Sequence, residues 1–231
     1  MVAMIGLLAI VCLPLALMAS ATVARRISLD LPDRWQTALP SPFDVLDDSA
    51  TPAAFPHLTC SLFIGAALGR TSDPWVLLCH AFFILSLAVT ATVDARHGLI
   101  PDHLSLSILV SGLAANGFHL RGMPVTGAVA GAAVTWCGFK AVQVFAGRWM
   151  GVDGDTVFGE GDVKLGAAIG AWLGGVGGCL SLALGIVILV IKNNKMSKEK
   201  NIDEITEIPF GPYLLLSSGI ISVAQIYQTK F

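Results

Sequence analysis

The sequence predicts an all-α, polytopic transmembrane protein with about eight spans, and three observations carry that prediction. Of the 231 residues, 55% are hydrophobic and only 13% are charged. A soluble domain carries about 25% charge, so this chain lacks the polar surface to wrap a globule; its mean hydropathy is +0.74. Apolar runs alternate with short polar loops, several near the ~20 residues a helix needs to cross a bilayer. Hydrocarbon offers no water to unpaired backbone groups, which makes the helix the expected form of such runs. Basic residues also gather in alternate loops, as the positive-inside rule requires. The net charge of -2 gives no sign of a nucleic-acid partner, and without a basic stripe with interleaved aromatics none is expected.

Taken in order, spans are expected at 3–23, 57–69, 75–93, 104–120, 126–147, 165–177, 178–191 and 210–226. The stretch Met1 to Val23 has no basic start and is followed by Arg25 and Arg26, so it reads as a first span and not as a cleaved leader. The second, sixth and seventh runs are short. Residues 165–191 could form one long helix, but Gly174, Gly175, Gly177 and Gly178 favour a tight hairpin. With an outside N-terminus, one side collects Arg25, Arg26, Arg34, Arg96, Arg148, Lys164, Lys192, Lys195, Lys198 and Lys200. The other side collects Arg70, Arg121 and Lys230. The first side is expected to be cytoplasmic. Lys140, within the fifth run, is expected to snorkel to that interface.

The loops differ in kind. Residues 27–56 are acidic and rich in proline and read as irregular. Residues 148–163 carry Asp153, Asp155, Glu160 and Asp162, and the mixed charge run 192–207 reads as a solvated connector. Cys12, Cys60, Cys79, Cys137 and Cys179 all lie in apolar stretches without a C-x-x-C pair, so they are expected to be small buried hydrophobes. Gly127, Gly131 and Ala132 in the fifth run, and Gly166, Gly170 and Gly174 in the sixth, have the small-xxx-small spacing that lets helix backbones approach closely.

Two polar words stand where an apolar run meets a loop: Asp94 through Pro101 and Asp102, and Gly159-Glu160-Gly161-Asp162-Val163-Lys164-Leu165. A carboxylate beside hydrocarbon is costly and is a functional hypothesis by default. Two carboxyls on one side of a membrane can share a proton, one ionised to deprotonate a water and one neutral to donate to a carbonyl. Pro101 disfavours helix at Ile100, which puts Asp94 on the last turn of its span. Gly159 and Gly161 are expected to allow a tight turn, and Asp162 follows near a helix N-terminus, where the dipole favours its ionised form. The plain structural readings stand beside these. Asp94 alone is an interfacial aspartate, Asp102 an N-cap of the next span, and Lys164 a cytoplasmic anchor. His97 reads as a loop residue, and Asp153 and Asp155 as solvated loop charges.

Taken together, the two words and a third, Ile208-Pro209-Phe210-Gly211-Pro212-Tyr213-Leu214, resemble the type IV prepilin peptidases, the GxGD-type membrane aspartic proteases of family A24. Gly170-Ala171-Trp172-Leu173-Gly174 behind the second word adds to the likeness, which covers roughly residues 75–226. The resemblance implies an all-helical prepilin peptidase fold in a bacterial inner membrane, with the site facing the cytoplasm. It implies Asp94 and Asp162 as the catalytic pair, with Gly159, Gly161, Lys164, Pro101 and Asp102 placing motif and substrate. The implied substrate is a prepilin or pseudopilin, cut after a glycine that ends a short basic leader. The implied reaction needs no metal or cofactor. Membrane lipid is the other expected contact, and the oligomeric state is open. Residues 1–56 are expected to form a first span with a short cytoplasmic loop, and residues 57–231 the peptidase domain. Longer family members carry a cytoplasmic domain with C-x-x-C pairs that is associated with N-methylation. Residues 25–56 contain no cysteine, so methylating activity is expected to be weak or absent. Two other functions compete: a non-catalytic pilin-binding assembly protein, and a proton or cation transporter, which would place its acids at mid-span.

Overall fold

The computed structural model describes residues 73–151, 153–154, 158–196 and 209–228, with residues 59, 62–64, 66 and 67 ahead of them. The expected first span, the loop 27–56, most of the second span, Asp155, Cys12, Cys60 and most of the run 192–207 lie outside the described residues. So does the basis for the count of eight and for a domain boundary at residue 56. Every element among the described residues is helical: α1 (Pro74–His97), α2 (Asp102–Gly117), α3 (Val125–Met150), α4 (Glu160–Met196) and α5 (Gly211–Gln228). Three of them, α1, α3 and α4, are long and apolar enough to cross a membrane. With 16 and 18 residues, α2 and α5 reach ~24–27 Å at 1.5 Å per residue, close to the hydrocarbon thickness.

The helix ends follow local chemistry. At the start of α1, the Asp73 side chain accepts from Trp75 N at 2.9 Å, with Pro74 at the first helical position. Its end is made by Gly98, three residues before Pro101: Gly98 takes φ 63° and its N–H donates to the Asp94 carbonyl. His97 is thus the last residue of α1 and buried, not a loop residue. Pro101 is the N-cap of α2 and Asp102 its first residue, which corrects the expectation that Asp102 caps the helix.

The run 160–196 is helical on both sides of Gly174, which has φ 73° and ψ 171° and breaks it. In a straight helix, residues eight apart lie ~12 Å apart along the axis. Here a Cβ on Gly178 would stand 3.1 Å from the Cα of Gly170. The chain folds back on itself at Gly174, as the glycine cluster predicts, and α4 consists of two antiparallel arms. Its ends agree: Lys192 lies 5.5 Å over the Tyr213 ring, and Phe210 beside it contacts Phe158 just before the first arm.

Small residues make this packing possible. A Cβ on Gly131 of α3 would strike the Gly170 carbonyl oxygen, and one on Gly170 or Gly178 would strike Thr135 Oγ1. Gly166 similarly leaves room for the Phe139 ring. Gly127, expected on the same face, instead meets Met123 and Pro124 of its own end. Breaking a helix inside a membrane frees carbonyls that must find donors. Asn116 Nδ2 donates to Ala171 O at 3.1 Å, and Gln225 Nε2 donates to Leu173 O at 2.8 Å. Nearby, Trp172 Nε1 donates to Ile108 O at 2.7 Å, its ring stacks on Phe83 with centroids 5.0 Å apart, and the Arg121 guanidinium lies 5.4 Å over it. Further along the α1–α5 contact, buried His80 Nδ1 and Ser222 Oγ are 2.9 Å apart. Of the cysteines, Cys79 is buried, while Cys137 is exposed on the outer face of α3, contrary to expectation.

Candidate active site

The two polar words and the described part of the third, Pro209 to Leu214, meet at the end of the bundle away from Gly174. Asp94, on the last turn of α1, is 5% exposed. Its Oδ2 accepts a hydrogen bond from Gly211 N, the first residue of α5, at 2.7 Å. Only glycine fits at 211, because a Cβ there would stand 2.9 Å from Asp94 Oδ2 and 3.0 Å from its Cβ. Asp162 lies in the first turn of α4, and its Oδ2 accepts from Gly159 N at 3.2 Å. The other oxygen, Oδ1, is buried and has no hydrogen-bond partner. The two carboxyls are brought to one place by the segments that hold them: Gly159 and Gly211 follow Phe158 and Phe210, whose ring centroids are 4.7 Å apart. Asp94 belongs to the C-terminal turn of α1, but its carboxyl meets the N-terminus of α5, where the helix dipole favours negative charge as it does for Asp162 at the start of α4.

The two words are joined through their glycine and their charges. Gly161 lies so close to Ile100 that a Cβ would be 2.9 Å from the Ile100 Cβ and 3.2 Å from its carbonyl oxygen. Neither Gly159 nor Gly161 takes a positive φ. The tight turn is made without it: the Gly159 carbonyl accepts from Asp162 N at 3.0 Å and from Val163 N at 3.4 Å as α4 begins, and Gly161 serves close approach. Lys164 Nζ binds Asp102 Oδ1 at 2.6 Å and ties α4 to α2. Lys140 pairs with Glu160 and ties α3 to the same motif, so it does more than reach for the interface. Pro101 stands between Ile100 and Asp102 as the N-cap of α2. Asp153 is exposed, as a loop charge is expected to be.

Four residues here have no role in the sequence reading: Gly211, Phe158, Phe210 and Gln143. Phe158 and Phe210 are buried and meet edge to face, with centroids 4.7 Å apart. Gln143 Nε2, from the buried side of α3, donates to Phe158 O. The available signal was the repeated dipeptide Phe-Gly, at 158–159 and 210–211. Among the described residues no group of three His, Cys, Asp or Glu side chains could hold a metal ion.

The arrangement is that of an acid pair at a helix-bundle end, next to two backbone N–H donors. Comparison with known proteins gives it a family. A family model described as the type IV leader peptidase family matches residues 81–192, which include both aspartates. A prepilin leader peptidase/N-methyltransferase of Escherichia coli is 36% identical over 171 residues, covering 69% of this chain and 70% of that protein. Proteins of the same name from Aeromonas hydrophila and Pseudomonas aeruginosa are 31% and 35% identical, over 73% and 71% of this chain. The chain spans 59% and 55% of those two relatives, little more than half their length. No solved structure matches it. On the family model, the relatives and the three words in order, the chain belongs to the type IV leader peptidase family.

Proposed function

We propose that this chain is a membrane aspartic endopeptidase that removes the basic leader from prepilins or pseudopilins at the cytoplasmic face of a bacterial inner membrane. The observation that carries the reading is the meeting of Asp94 and Asp162, from separate helices, at one end of the bundle. In the reaction, the ionised carboxyl takes a proton from water while the neutral one donates to the scissile carbonyl oxygen. The tetrahedral intermediate then collapses, and the leaving amine recovers a proton. Pro101, Asp102, Lys164, Gly159 and Gly161 set the two motif strands against each other, with Gly159 exposed beside Asp162. A substrate whose mature part is an apolar helix suits a site at a membrane-helix end, because the product helix can remain in the bilayer. The positive-inside distribution of Lys and Arg supports a cytoplasmic site.

The test is cleavage of a co-expressed prepilin, followed by product mass. Asp94→Asn and Asp162→Asn are nearly isosteric and cannot hold the shared proton; each is expected to insert normally and to lose roughly 10³-fold or more in rate. Processing at the wild-type rate by either variant would refute the assignment. The purified wild type is expected to show a bell-shaped dependence of rate on pH, because the pair works with one proton and fails with none or two.

A further inference from the structure

The two Phe-Gly dipeptides do not lie near each other in sequence, yet each ends on one of the two carboxyls. Gly159 N donates to Asp162 Oδ2 at 3.2 Å and Gly211 N donates to Asp94 Oδ2 at 2.7 Å. The residues just before them, Phe158 and Phe210, touch edge to face at 83°. The peptide bond is planar and trans, so the carbonyl of each phenylalanine and the N–H of the following glycine point in opposite directions. Pinning one aims the other. The Phe158 carbonyl is pinned by Gln143 Nε2. The Phe210 carbonyl is pinned by Tyr213 N at 3.0 Å and Leu214 N at 3.1 Å, the first turn of α5. The aromatic contact then fixes the distance between the two peptide planes, since edge-to-face rings have a preferred separation and tilt.

We propose that the two Phe-Gly units form one clamp, in which the Phe158–Phe210 contact sets the spacing of the Gly159 and Gly211 N–H groups and thereby holds the two carboxyls in register. Phe158 and Phe210 are positioning residues: they touch each other and act on the carboxyls through the backbone. The clamp rests on the reading of Asp94 and Asp162 as the working pair. A plainer arrangement competes with it. The Gly159–Asp162 bond is half of a capping box, which any helix can make, and two buried phenylalanines can be core and no more. In that case the two halves are independent, and a change at one phenylalanine does not reach the other glycine.

The sequence supplies its own probe, because Phe is followed by Gly only at 158–159 and 210–211. Full-length protein in detergent, labelled with carbonyl-13C phenylalanine and 15N glycine, gives one amide signal for each clamp half. In the wild type both signals are expected to move with pH as the carboxyl they contact titrates. Asp94→Asn abolishes the response at Gly211, and Asp162→Asn abolishes it at Gly159. Phe158→Leu removes the Gly159 signal from the labelling scheme and displaces the pH response of Gly211; Phe210→Leu does the reverse. In prepilin cleavage, each Leu variant lowers kcat about tenfold with KM within about twofold, and the double variant falls no further than either single one. A Gly159 or Gly211 signal indifferent to pH in the wild type overturns the clamp. So does a Gly211 signal unmoved by Phe158→Leu, or kcat losses that multiply in the double variant. The two failures separate cleanly: a wild type that does not cut prepilin counts against the peptidase reading, whereas the titration and the cross-effect judge the clamp.

Discussion

The two ends of the bundle solve opposite problems. At the Asp94 end, charged groups gather where helices begin and stop, and glycines at 161 and 211 bring backbone up to Ile100 and Asp94. Among the described residues the Gly174 end holds no carboxyl cluster. There the chain reverses within the apolar layer, and neutral amides from Asn116 and Gln225 satisfy the carbonyls that the reversal frees. One end gathers charged side chains and backbone donors; the other repairs backbone so that the described helices can pack. The difference teaches that polar residues near a membrane interior need not be functional, and that what separates the two classes is charge and juxtaposition.

Substitutions sharpen that contrast by moving different observables. After the aspartates themselves, the largest effect is expected from Gly211→Ala. The new methyl would displace the Asp94 carboxyl, so kcat for prepilin should fall roughly 10- to 100-fold with little change in Tm. A fall in Tm with kcat intact would blur the two ends into one. At the far end, Asn116→Ala and Gln225→Ala should each cost about 0.6–1.7 kcal/mol, the range for hydrogen bonds between membrane helices. That is read as reduced resistance to thermal unfolding in detergent, with kcat of the surviving protein unchanged. Loss of turnover without loss of stability would place these amides in the mechanism and break the comparison. The smallest effect belongs to Lys164→Ala. Its ion pair with Asp102 is 46% and 74% exposed, and such pairs contribute about 0–1 kcal/mol. A modest rise in KM is expected, and restored cleavage in a Lys164→Asp, Asp102→Lys exchange would show that the tie itself matters.

These ends also differ in how much of them was legible in the sequence. Asp94, Asp162, Pro101, Gly161 and Lys164 stand in short words whose chemistry is local, so their residue types already announce a site. Even there the partners were hidden. Asp102 looked like a cap because aspartate favours that position, and only the fold brings Lys164 to it. Gly211 had no assigned role because its N–H matters only beside Asp94, which is 117 residues away. At the other end, Gly174 through Gly178 signalled a reversal, since glycine alone adopts its positive φ without strain. Nothing in the local pattern marked Asn116 or Gln225, because a buried amide and an interfacial one have the same sequence signature. Cys137 failed for a related reason: a lipid-facing position and a core position are equally apolar.

The central claim is that carboxyls from α1 and α4 stand side by side at one membrane face. With the native cysteines replaced, Asp94→Cys and Asp162→Cys in the same molecule provide the most direct measurement, using a short thiol-reactive bridging reagent and mass analysis of the digested product. The account predicts a single bridged peptide pair joining the two helices, with both thiols labelled from the same side of inverted vesicles. Thiols that stay unbridged and react from opposite sides would contradict it.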